Sequence, residues 1–136
     1  MSTILVNTLT GTSTAGSIAV TGEGNSTTTN LQQGLAKVWN CFDADVSGGP
    51  RDSFNTSSMT DNGTGHFDTN LTSSFVNDDF AFGATVGKHT GAAIQILGGS
   101  NSTAKDTGQY GVINQNYQGA FGDSADYMTT AHGDLA

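Results

Sequence analysis

Apolar residues recur along the chain in short runs, many alternating with polar ones, and stretches of Gly, Asn, Ser and Thr separate the runs. The clearest period-two pattern follows Asp61-Asn62-Gly63-Thr64-Gly65: Phe67, Thr69 and Leu71 fall on one side, His66, Asp68, Asn70 and Thr72 on the other. That alternation predicts a half-buried antiparallel strand. The Asn-Gly dipeptide before it predicts a hairpin turn whose two central residues take positive φ. Phe80, Phe82, Ala84 and Val86 repeat the period, and Tyr127, Thr129 and Ala131 share a face within Asp126 to His132. Further strands are predicted at 2–9, 17–21, 35–43, 51–59, 93–97 and 110–114. In 35–43 both faces hold large apolar groups, Trp39 and Cys41 opposite Val38 and Phe42, so this strand is expected to be covered on both sides. Asn30 is placed to cap one helical turn over Leu31-Gln32-Gln33 that Gly34 ends. No long amphipathic helix is predicted.

Short strands with turn chemistry between them predict an all-β fold, a small antiparallel β-sandwich, jelly-roll-like, preceded by an extended N-terminal arm. The run Gly22 to Asn30 has no apolar side chain to anchor it and reads as a linker. The expected organisation is an arm or anchor with linker at 1–30 and a sandwich domain at 31–136.

Composition sharpens this picture. Thr, Ser, Asn and Gly number 20, 13, 11 and 19 and fill nearly half of the 136 residues, whereas Leu, Ile, Val and Phe total 26. So few large apolar residues predict a thin core that neighbouring surfaces complete. With four Lys plus Arg and a net charge of −8, no basic patch is available to neutralise phosphates, so nucleic-acid binding is disfavoured. The acidic balance also argues against anionic lipid, and no apolar run approaches membrane-spanning length. Met1 to Leu9 lacks a basic start, so no secretory signal is expected.

Chemistry-bearing residues add little. His66, His89 and His132 lie far apart in no zinc-holding spacing. Asp43-Ala44-Asp45 and Asp78-Asp79 are loop carboxylates that calcium could use, but they lack the Gly and bidentate Glu of a calcium loop. Cys41 is alone, inside an apolar strand, and reads as a packed thiol. No nucleophile turn or paired-carboxylate spacing occurs. The expectation is a non-enzymatic protein without cofactor, catalytic residue or metal site. Tyr110, Tyr117 and Phe121 lie in a Gly/Asn/Gln-rich stretch and are the candidate exposed aromatics for ligand or subunit contact, suited to stacking on a sugar ring.

The strings Asn30-Leu31-Gln32-Gln33-Gly34-Leu35-Ala36-Lys37-Val38-Trp39, Arg51-Asp52-Ser53-Phe54-Asn55 and Thr60-Asp61-Asn62-Gly63-Thr64-Gly65, with the ending His132-Gly133-Asp134-Leu135-Ala136, resemble a module of virion proteins from marine tailed bacteriophages, mostly tail-fibre or appendage proteins. Pro50 departs from the pattern, and Gly83 to Gly122 matches nothing distinctive. The resemblance implies a sandwich on the virion surface, assembled in the host cytoplasm, homotrimeric, and with no catalytic residues to transfer. The expected role is a virion structural protein, a tail fibre, spike or head fibre involved in host attachment, joined to other virion proteins through residues 1–30 and contacting a host surface glycan. The alternatives are a capsid decoration protein that stabilises the shell and a stand-alone carbohydrate-binding module.

Overall fold

The computed structural model describes residues 3–12, 18–21, 28–44, 49–87, 96–98, 105–116 and 118–136. The chain divides into two compact units, Met1–Leu35 and Ala36–Ala136.

In the first unit, β1 (Ala19–Thr21) pairs antiparallel with β2 (Thr28–Asn30), opposing Ala19 to Asn30 and Thr21 to Thr28. The end of the expected linker is therefore strand, because a β-rich Thr run can add main-chain bonds without any apolar side chain. Asn30 caps α1 (Leu31–Gly34): its side-chain oxygen accepts from the Gln32 and Gln33 amides at 2.9 and 3.2 Å. The strand expected at the start of the chain is not formed; residues 3–12 belong to no sheet.

The second unit is an all-β antiparallel sandwich. One sheet has the order β4-β3-β10-β7, built from β3 (Val38–Phe42), β4 (Asp52–Phe54), β7 (Ala81–Val86) and β10 (Tyr127–His132). The other has the order β5-β6-β9-β8, from β5 (Thr56–Asp61), β6 (His66–Leu71), β8 (Ile96–Gly98) and β9 (Gln109–Gln115). The first and last of these strands, β3 and β10, pair in the middle of their sheet. The chain passes between sheets after β4, β6, β7 and β9.

The region expected to be one strand, 51–59, is two strands in different sheets. The break is Asn55, the one non-glycine with positive φ among the described residues (59°). Asn tolerates this left-handed geometry because its amide bonds locally. Here it accepts from the Ser73 amide at 2.7 Å and donates to the Ser73 carbonyl at 3.0 Å, fixing the corner where the chain changes sheet.

The expected hairpin joins β5 to β6, with Met59 opposite Thr69. Its turn differs from the two-residue form: the positive φ values are at Gly63 (116°) and Gly65 (71°). The Asn62 amide bonds His66 O at 2.9 Å, and the His66 amide bonds Gly63 O at 2.8 Å. A Cβ at Gly65 would stand 2.6 Å from the Asn114 carbonyl oxygen, so the longer turn brings this backbone against β9. In β6, Phe67 and Thr69 are buried as expected, but Asp68 is buried too. The Asn62 side chain returns over the hairpin to donate to its carboxylate.

The inner faces of both sheets, with Phe75 and Phe80 from the connection between β6 and β7, supply two apolar clusters. Val38, Phe75, Phe80, Tyr110 and Ala131 form one; Phe42, Phe67, Val112 and Tyr127 form the other. Ring stacking does much of the filling: Phe75 on Phe80 at 4.0 Å, Phe42 on Tyr127 at 4.7 Å, Phe82 on Tyr110 at 5.0 Å. Aromatic rings bury large areas per residue, which is how a chain with few aliphatics makes a core.

A chain of side-chain hydrogen bonds links the sheets through this core. Thr129 donates to Asn40 Oδ1 (2.7 Å), so Tyr110 OH, 2.7 Å from the same hydroxyl oxygen, donates to Thr129. Asn40 Nδ2 in turn donates to Thr69 Oγ1 at 3.0 Å. Tyr110 and Thr69 come from one sheet, Asn40 and Thr129 from the other. The buried Asn40, Thr69 and Thr129 side chains thus satisfy one another, avoiding the roughly 1–3 kcal/mol cost of an orphaned buried polar group.

Candidate interaction surface

The outer face of the β4-β3-β10-β7 sheet is built by register. Phe54, Trp39, Thr130 and Gly83 lie in one cross-strand row; Asp52, Cys41, Met128 and Thr85 lie in the next. Because alternate residues point to opposite faces, placing Val38, Asn40 and Phe42 in the core sends Trp39 and Cys41 outward. This corrects the expectation that β3 is covered on both sides. Trp39 is 40% exposed, Phe54 51% and Met128 40%.

Between β7 and β10 the face sinks into a shallow apolar depression of about 300 Å³ lined by Gly83, Ala84, Thr85, Met128, Thr129 and Thr130. Gly83 makes the opening: a Cβ there would meet nothing within 4 Å. Charges gather near one end of the surface. Arg51 bridges Asp43 at 3.1 Å and Asp126 at 2.7 Å. Bonding to Asp126, then to Asp43, raises the already high pKa of this guanidinium, which stays cationic. Such an exposed ion pair contributes little to stability.

The three aromatics singled out from the sequence do not converge. Tyr110 is fully buried, stacked on Phe82 and bonded to Thr129, so it is a core residue and not a surface contact. Its inward register position on β9 decides this, whatever the polarity of its sequence neighbours. Burial pushes the Tyr110 phenol above its ordinary value, and the hydrogen bonds to Thr129 and Thr69 oppose that only in part. Tyr117 lies outside the described residues. Phe121 is 45% exposed and meets the His66 ring edge-on at 4.3 Å.

Other candidate groups are dispersed. His66 is on β6 and His132 on β10, in different sheets, and His89 is outside the described residues. Among the described residues no three His, Cys, Asp or Glu side chains are grouped to hold a metal. Asp43 is engaged by Arg51, and Asp45 lies outside the described residues. The sequence signal for the outer face was Lys37, which shares the alternate-residue face of Trp39 and marks it as open to solvent.

Compared with known protein families, curated proteins and solved structures, the chain matches none.

Proposed function

We propose that this chain is a structural protein of a tailed-bacteriophage virion, displayed on the particle surface as part of a fibre, spike or head appendage and serving host attachment. The observation that carries the reading is the outer face with Trp39, Phe54 and Met128, apolar groups that a free-standing domain gains nothing by exposing. Such a face suits contact with neighbouring copies or shell proteins. The few charges and the internal hydrogen-bond chain fit a structural rather than catalytic role, because the buried polar side chains serve to join the sheets. The resemblance of the strings at 30–39, 51–55 and 60–65 to marine phage appendage proteins is what suggests the particle. Homo-oligomerisation, with the homotrimer as the expected state, completes the surfaces left apolar.

Labelling intact particles with antibody raised to the chain tests this reading. Label on tails or projecting fibres is the expected result, and unlabelled particles overturn it. Label spread over the head, with loss of shell strength but normal adsorption in particles lacking the chain, assigns it to capsid decoration instead. Binding of the isolated chain on a glycan array, without particle label, assigns it to carbohydrate recognition.

A further inference from the structure

We propose that residues Thr3 to Thr8 of one chain add as a fifth strand along the open edge of β7 in a second copy. This rests on the self-assembly part of the reading above and not on the particle. The first observation is an unfinished core margin. The inward side chains of β7, namely Phe82, Ala84 and Val86, stay half-buried, whereas the inward residues Val38 and Phe42 of β3 and Tyr127 and Ala131 of β10 are fully covered.

The second observation is that β7 differs from the other sheet edges. β4 is three residues long, begins at Asp52 and follows Arg51. β5 ends at Asp61 and carries a register shift between Thr56 and Ser58. β8 is three residues long. These are the usual ways of blunting an edge. β7 is neither short nor bulged: its six residues, Ala-Phe-Gly-Ala-Thr-Val, are uncharged and in unbroken register with β10, and the nearby charge of Lys105 is spent on the Phe80 carbonyl just before the strand, at 2.8 Å.

The third observation names the occupant. Thr3 to Thr8 is uncharged, β-rich, of the same six-residue length, and in no sheet. Within it Ile4 is 81% exposed, Leu5 90% and Val6 55%, so the single chain leaves these aliphatics in water. Placed beside β7, one alternate set (Ile4, Val6) would continue the inner face next to Phe82, Ala84 and Val86. The other set would bring Leu5 to the Gly83 depression. Both six-residue runs are uncharged, so an acidic chain can pair them with its copy without setting like charges directly opposite one another. One arm and one edge per chain close the assembly by reciprocal exchange in a two-fold dimer or by head-to-tail contacts in a ring such as a trimer.

The test compares the full chain with Ile4→Asp/Leu5→Asp and, separately, with Gly83→Lys, by light scattering at micromolar concentration and by amide hydrogen exchange. The wild type is expected to be oligomeric and both variants monomeric. In the variants β7 amides should exchange about tenfold or more faster, while those of β3 and β9 keep their protection. Unchanged protection in β3 also shows that each variant is folded. An oligomer that survives either variant, or β7 amides indifferent to the arm, overturns the strand addition while leaving self-assembly intact. A monomeric wild type overturns both.

Discussion

The arm and the sandwich use the same residue alphabet and reach opposite outcomes. Both are rich in Thr, Ser, Asn and Gly. In the arm Ile4, Leu5, Val6 and Leu9 lie mostly in water. In the sandwich a similar scarcity of aliphatics is overcome by aromatic rings at inward positions and by the Tyr110–Thr129–Asn40–Thr69 chain between the sheets. The contrast teaches that the amount of apolar surface matters less than whether main-chain pairing places it opposite more of the same. An aliphatic run on unpaired backbone stays exposed; a few rings on paired strands are a core.

Truncations separate the two regions most sharply. Phe75→Ala removes a fully buried ring stacked on Phe80 and should destabilise the sandwich by about 3–5 kcal/mol in urea unfolding. Leu5→Ala should move the same transition by less than about 0.5 kcal/mol when it is read on the dissociated chain at high dilution. Equal losses would abolish the distinction.

Gly133→Ala comes next. A Cβ there would lie 2.7 Å from Phe80 Cβ and 3.0 Å from the Phe75 ring, so the stack must shift, at a cost of about 1–3 kcal/mol read from the same denaturant midpoint.

Tyr110→Phe tests the hydrogen-bond chain and gives it a pH signature. Folding raises the phenol's pKa, so the folded state holds this proton more tightly than the unfolded chain. Tyr110 therefore contributes fully below the ordinary tyrosine value of about 10, and that contribution is lost as pH climbs through the alkaline range above it, at up to about 1.4 kcal/mol per pH unit. The variant should lose about 1–2 kcal/mol at neutral pH and show a flatter alkaline limb in its stability profile. A limb as steep as the wild type's would place the titration elsewhere.

The smallest expected effect on folding is at the outer face. Trp39→Ser should leave stability within about 0.5 kcal/mol, because the ring is not part of either core cluster. It should weaken association, measured as a lower oligomer fraction or reduced incorporation into particles. A large stability loss would show that the ring belongs to the sandwich's own packing.

Much of the sandwich was legible because local signals agreed. The Asp61–Gly65 turn and the alternation after it place the β5–β6 hairpin, and Tyr127, Thr129 and Ala131 all face inward as their spacing predicts. Tyr110 is buried despite its polar sequence neighbours, which say nothing about which face a residue occupies. Trp39 is exposed although both faces of its strand are apolar, because such a pattern fits two covers or one exposed patch equally. Alternation puts Asp68 on the solvent face, yet it is buried; the Asn62 side chain folding back over the hairpin is a feature no period-two count contains.

By itself the sequence determined the all-β class, the hairpin, the Asn30 cap and the scarcity of charge. These follow from neighbouring residues, through turn geometry, period-two alternation and hydrogen bonds a few positions apart. Only the tertiary structure decided that Asn55 splits one run between two sheets, that Tyr110 is a core residue and that Trp39 and Phe54 share an open face. Those depend on which strand lies beside which. Pairing between β3 and β10 joins residues some ninety positions apart, such as Asn40 and Thr129, and no local pattern specifies a partner at that distance.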